Sequence, residues 1–158
     1  MKSIVYQKVL EFKQKYPSTV AWRIKAHCKI VDKYLNKDEV VKYAFVGQKN
    51  NCWYDIITTN VIVMTNKRLI LASKRVLFGY FFTSITPDLF NDLKIKSGIF
   101  WGKVFIDTVG ELVIISNVSK SALNEIETYI IENMIKEKKK YHLNWMQDNS
   151  LAFFLKKC

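Results

Sequence analysis

The stretch Val61-Ile-Val-Met-Thr-Asn-Lys-Arg-Leu-Ile-Leu-Ala72, with Lys74-Arg75 just beyond it, limits what this chain can fold into more than any other segment. Two short apolar runs flank Thr65-Asn66-Lys67-Arg68, four polar residues of the kind that join antiparallel strands. A third apolar run, 76–82, follows at once. Strands this close in sequence have no room for a crossover helix, so they pair antiparallel and in order.

A chain of 158 residues reads as one domain, long enough to bury a core without disulfides or metals. Its apolar runs are four to seven residues (61–64, 69–72, 76–82), whereas a membrane span needs roughly 18 or more. The N-terminus reaches Lys2 and Lys8 too early to hold a signal-peptide core, so the expectation is a cytoplasmic protein. Cys28, Cys52 and Cys158 are odd in number and widely spaced. They read as reduced, mostly buried thiols, with Cys158 exposed to oxidation, and no metal or cofactor site is expected. The net charge of +11 invites an anionic partner,. Codon bias competes as its source, because 22 lysines stand against three arginines amid 17 isoleucines and 11 asparagines. Two of those arginines, Arg68 and Arg75, lie in the opening stretch.

Residues 3–16 predict an amphipathic helix with Val5, Val9, Phe12 and Tyr16 on one face,. Pro17 ends it, and Ser18 or Thr19 is placed to cap a second helix running to about Leu35,. The period then changes to two. Strands are expected at 40–46, 53–65, 68–73, 76–84, 92–97, 100–108 and 111–116,. A last helix begins near Ser119 or Ser121 with the stripe Leu123, Ile126, Ile130 and Met134. Lys136, Lys138, Lys139 and Lys140 crowd its C-terminal end, where the helix dipole favours cations. The organisation expected is a helical hairpin at 1–39, a strand-rich domain at 40–140 and a tail at 141–158.

The segments TNKRLIL (65–71), GIFWGKVFIDT (98–108) and GELVIISNVSKSALNEIETYI (110–130), in this order and spacing, resemble a bacterial pleckstrin-homology (PH) domain of the YokE-like type. The resemblance covers about residues 40–138. It implies an α+β fold: a partly open seven-stranded antiparallel barrel capped by a C-terminal helix, here preceded by the N-terminal helical hairpin. It implies a non-catalytic binding or scaffolding role and an inclination to self-associate. Lipid-binding PH domains of eukaryotes hold inositol phosphates with several Lys and Arg on the first strand pair and its loop. The loop at 47–52 carries Lys49 alone, so a multi-arginine phosphate clamp is not implied.

No catalytic constellation stands out. His27 adjoins Cys28 in a helix, where i, i+1 neighbours do not face each other, and it reads as a surface or packed histidine. Lys67, Arg68, Lys74 and Arg75 form the densest basic cluster, bracketing one strand at its two ends, with Lys49 as a further candidate. The cluster reads either as a solvated hairpin rim or as an anion-facing patch. Phe78, Tyr80, Phe81, Phe82, Phe100 and Trp101 are read as core filling inside apolar strands rather than as platforms for single-stranded nucleic acid. Protein interaction or self-assembly as a homo-oligomer therefore ranks first. Weak contact with anionic lipid headgroups at the inner membrane face ranks second, nucleic acid third and an enzyme last.

Overall fold

The computed structural model describes residues 3–155, so the oxidation expected at Cys158 lies outside the described residues. Helix α1 (Ile4–Lys15) is capped by Ser3, whose Oγ accepts the Tyr6 N–H at 2.9 Å. Val5, Val9, Phe12 and Tyr16 are all buried, as the spacing predicts. The second helix differs. α2 (Ile24–Tyr34) starts later than expected, and Arg23 precedes it in the left-handed region at φ 51°. Ser18 and Thr19 do not cap it, because their hydroxyls are used elsewhere. Ser18 Oγ donates to Ser119 Oγ at 2.8 Å, and Thr19 Oγ1 accepts the Ser119 N–H at 2.9 Å. The Val20 N–H donates to the Asn117 carbonyl at 3.0 Å, so the link between the helices lies against the end of the last strand.

The strands are β1 (Val41–Gln48), β2 (Thr59–Thr65), β3 (Leu69–Lys74), β4 (Tyr80–Ile85), β5 (Phe90–Ser97), β6 (Trp101–Thr108) and β7 (Leu112–Ser119). They form one antiparallel sheet in the order β4-β3-β2-β1-β7-β6-β5. β4 and β5 are its two edges, so the barrel stays partly open. This is the expected α+β architecture. The turn at Thr65 to Arg68 closes β2 onto β3, with Met64 opposite Leu69 and Val61 opposite Ala72. Every residue of β2 is buried, as are the first five of β3. A strand buried on both faces loses the alternation of a half-exposed one and must be covered twice. α1 packs on β1 and α2 on β3 and β2, so the helical hairpin lies on its own barrel.

Several expected strand boundaries change; β5 begins at Phe90 and β7 runs on to Ser119. β1 continues through Gly47 to Gln48, because a Cβ at Gly47 would stand 2.4 Å from Ile115 Cγ2 and only a glycine lets β7 approach so closely. Residues 53–58 are loop rather than strand. The Asn50 Nδ2 donates to the Asp55 carbonyl at 2.8 Å, and Asp55 Oδ1 accepts the Ile57 N–H at 3.1 Å. Such local bonds offer the backbone an alternative to the ladder. Residues 75–79 are a hairpin loop closed by the Arg75 N–H to the Gly79 carbonyl at 3.1 Å, with Gly79 at φ 80°.

Helix α3 (Leu123–Leu155) covers β5 and β6 with Leu123, Ile126, Ile130 and Met134, all buried. It runs on past 140, where no proline or glycine stops it, and Leu143, Trp145 and Met146 there are exposed. Two carboxylates tie the layers together. Glu125 of α3 accepts the hydroxyls of Tyr16 at 2.7 Å and Tyr43 at 3.1 Å and pairs with Lys15. Burial opposes its ionisation, yet these donors hold its carboxyl below the ordinary value. Glu39, with a fully buried side chain, takes Arg68 Nε and Nη2 at 2.8 and 2.9 Å, Thr65 Oγ1 at 2.9 Å and the Asn36 N–H at 3.1 Å. The same guanidinium donates to the Tyr34 carbonyl at 2.9 Å and to Ser84 Oγ at 3.2 Å. One side chain thus clasps α2, β3, β4 and the entry to β1.

Cys28 is buried in α2, and burial pushes its thiol up to about 12, which leaves no reactive thiolate. Its neighbour His27 is buried too, with Nδ1 accepting the Lys74 N–H at 2.7 Å. An accepting Nδ1 requires the neutral ring, and burial lowers the imidazole to about 4.

Two measurements follow. Arg68→Ala strands a buried Glu39 and is expected to cost about 3 kcal/mol in chemical denaturation. Lys8→Ala, which breaks the exposed Lys8–Glu11 pair, is expected to cost under about 0.5 kcal/mol. Because the folded His27 titrates near 4 rather than its ordinary 6.5, the unfolded chain takes up the proton first as pH falls. Stability is therefore lost progressively from about pH 6.5 downward. Thermal melts of His27→Gln should be flatter than wild type between pH 6.5 and 5.5, largely above the range where the carboxylates titrate.

Candidate functional site

The β1–β2 loop (49–58) adjoins the β3–β4 loop (75–79) across one cleft and the β5–β6 loop (98–100) across another. The β1–β2 loop sits between the other two and is tied down on its inner side. Asn117 Nδ2 donates to the Trp53 carbonyl at 2.8 Å, and Lys103 Nζ reaches the Asn51 carbonyl and Oδ1, both at 2.8 Å. Asn117 itself is buried at φ 57°. The link between α1 and α2 borders these loops as well. Trp101 Nε1 donates to the Ser18 carbonyl at 2.7 Å, and Arg23 Nη1 to the Arg75 carbonyl at 3.4 Å. The loop backbones are anchored by polar contacts while their apolar side chains face out.

Those side chains are conspicuous. Leu77 is 81%, Phe78 85% and Ile99 84% exposed, and Trp53, Tyr54, Ile56, Ile57, Val76, Phe81 and Phe100 are exposed with them. This corrects the core-filling expectation for the aromatics. Phe82 is half-buried, its ring 4.7 Å from that of Tyr34, but Phe78, Tyr80, Phe81, Phe100 and Trp101 are exposed. The reason is local. The run 76–82 reads as one strand, yet Gly79 turns it, and its first three residues fall on the tip of a hairpin.

Two clefts flank the central loop. One, of about 790 Å³, lies between the β1–β2 and β3–β4 loops, with Lys49, Lys74 and Arg75 beside a wall of Ile57, Leu77, Phe78 and Phe81. The Arg75 guanidinium lies 4.5 Å from the centre of the Phe81 ring, a cation–π contact. The other cleft, of about 500 Å³, lies between the β1–β2 and β5–β6 loops, where Trp53, Ile99, Phe100 and Trp101 meet Lys96 and Lys103. Cations therefore stand around the apolar tips. No group of three or more His, Cys, Asp or Glu among the described residues is placed to hold a metal ion.

The five basic residues singled out from the sequence separate into two sets. Lys49, Lys74 and Arg75 share the larger cleft, with Lys49 Nζ 3.8 Å from Glu111. Arg68 is consumed by the Glu39 clasp, and Lys67 pairs with Asp38 at the other end of β3. Sequence reasoning missed Trp53, Tyr54, Ile56, Ile57, Leu77 and Ile99 as surface residues. The available signal was their setting, since apolar residues next to Asn50-Asn51, Gly79 or Gly98 lie where the chain turns,.

Comparison with known proteins fits this geometry. A family model described as Bacterial PH domain matches residues 35–132, more than half of the 158. The chain is similar to a protein with a pleckstrin-homology domain from Shewanella loihica PV-4, at 16% identity and a TM-score of 0.45, covering 70% of this chain and 88% of that one. It is also similar to a pleckstrin homology domain from Shewanella amazonensis SB2B, at 16% identity and a TM-score of 0.42, covering 70% of this chain and 83% of that one. No curated protein matches. With one family model spanning all seven strands and the first part of α3, the chain belongs to the bacterial PH domain family.

Proposed function

We propose that this PH domain is a binding module that docks reversibly on an anionic membrane surface through its three apolar loops. The observation that carries this reading is the pairing of exposed apolar tips, Leu77, Phe78 and Ile99 above all, with the cations Lys49, Lys74, Arg75, Lys96 and Lys103 around them. Apolar side chains on protruding loops, with Trp and Tyr among them, suit the boundary between headgroups and acyl chains. Transfer of a side chain such as Leu77 or Phe78 out of water contributes roughly 1.5 kcal/mol. Each nearby Lys or Arg adds about 1 kcal/mol beside an anionic leaflet. No helix among the described residues is long and apolar enough to cross a membrane, which suits attachment by loops rather than by a span. Single-stranded nucleic acid fits less well, because the aliphatic Leu77 and Ile99 among the most exposed tips offer no stacking face and only three arginines are available,.

Self-assembly is the second reading, favoured by the free edge of β4. Its residues Tyr80 to Ile85 carry no charge, whereas edge strand β5 carries Lys94 and Lys96, a common guard against strand addition. Light scattering of a single species at 18.6 kDa would count against it.

Sedimentation with phosphatidylglycerol vesicles tests the membrane reading. Binding is expected at low salt, reduced about a hundredfold by Leu77→Ser/Phe78→Ser at any salt. Lys74→Glu/Arg75→Glu should abolish it and with it the salt dependence. Absence of binding at low salt, or binding that the loop-tip variant leaves intact, overturns the proposal.

A further inference from the structure

At the end of β3 away from the β3–β4 loop, about 20 Å distant by the rise of a strand, four lysines from three parts of the chain meet. Lys42 of β1, Lys67 of the β2–β3 turn, and Lys136 and Lys140 of α3 line one open cleft of about 500 Å³ with Asn66, Asn133 and Glu137. Among the described residues Glu137 lies 2.7 Å from Lys140, and Asp38 pairs with Lys67. Lys42 and Lys136 have no ion-pair partner among the described residues. Like charges held together by the fold repel, and a bound anion relieves that repulsion.

The lining selects the kind of anion. Lysine is a compact point charge without the bidentate fork that arginine brings to phosphates, and this lining contains no arginine. It contains no aromatic ring on which a base could stack and no apolar side chain to enter a membrane,. Glu137 interrupts the positive field, which disfavours a continuous phosphate backbone and tolerates carboxylates that are spaced apart. We propose that this cleft docks an acidic peptide segment of a partner protein, its carboxylates meeting Lys42 and Lys136 first. The inference does not rest on membrane docking. If both hold, the chain is a two-ended adaptor.

A fluorescein-labelled peptide of alternating Glu and Gly, titrated against the full chain by fluorescence anisotropy at low salt, tests the proposal. Saturable binding is expected, weakened about tenfold by Lys42→Glu/Lys136→Glu and left essentially unchanged by Lys74→Glu/Arg75→Glu. Vesicle sedimentation should be unaffected by the first pair. Amide shifts of the wild-type chain should move at Lys42, Lys67 and Lys136, a readout that needs no variant to fold. Absence of binding, equal weakening by both pairs, or shifts spread over the whole surface each overturns the proposal. So does oligothymidine of equal charge that binds more tightly at the same lysines.

Discussion

Strands β2 and β3 carry apolar side chains on both faces, so a single layer of cover cannot satisfy them. Val61 and Val63 point one way and Ile62 and Met64 the other, and all four are at most 1% exposed. An ordinary open barrel lined by one core would leave half of this surface in water, at roughly 25 cal/mol for each Å² left uncovered. The N-terminal hairpin supplies the missing layer. Phe12 of α1 sits 6.0 Å from the Phe45 ring, and α2 lies against β3. That demand explains why α1 and α2 belong to the same folded unit as the PH strands.

The polar interactions then fix how the added layer is seated. The Arg68–Glu39 pair joins the entry of β1 to the β2–β3 turn, and the Tyr34 carbonyl brings the end of α2 into the same knot. Glu125 does the corresponding work for α1 and α3 through Tyr16, Tyr43 and Lys15. His27 closes a third point, holding the Lys74 backbone at the other end of β3. β3 is therefore gripped at both ends by groups from the hairpin and the chain that follows it. The loops beyond Lys74 stand on a rigid base, the arrangement expected of a surface that binds through its loops.

Much of the fold was legible because its signals are local. The turn at 65–68, the alternation of Leu93 and Ile95 with Lys94 and Lys96, and the stripe from Leu123 to Met134 each encode one element within a few residues. The strand boundaries at 53 and 76 were misread for an equally local reason. Apolar composition alone predicts strand, while Asn50, Asp55 and Gly79 turn the backbone there. The start of α2 failed differently: Ser18 and Thr19 have the chemistry of caps, but Ser119, about a hundred residues away, engages them instead.

The basic cluster shows where the division falls. The sequence alone determined that Lys67, Arg68, Lys74 and Arg75 sit at the two ends of one strand, since a strand of known length separates them,. Only the tertiary structure decided their fates. Arg68 is captured by a carboxylate 29 positions earlier, and Lys67 joins Lys136 and Lys140 of α3. Lys74 and Arg75 stand with Lys49 beside exposed Leu77 and Phe78. Periodicity tells a residue which face it occupies, because that depends on its neighbours in sequence. Whether that face is covered, paired or left to solvent depends on segments distant in sequence, and no local pattern records it.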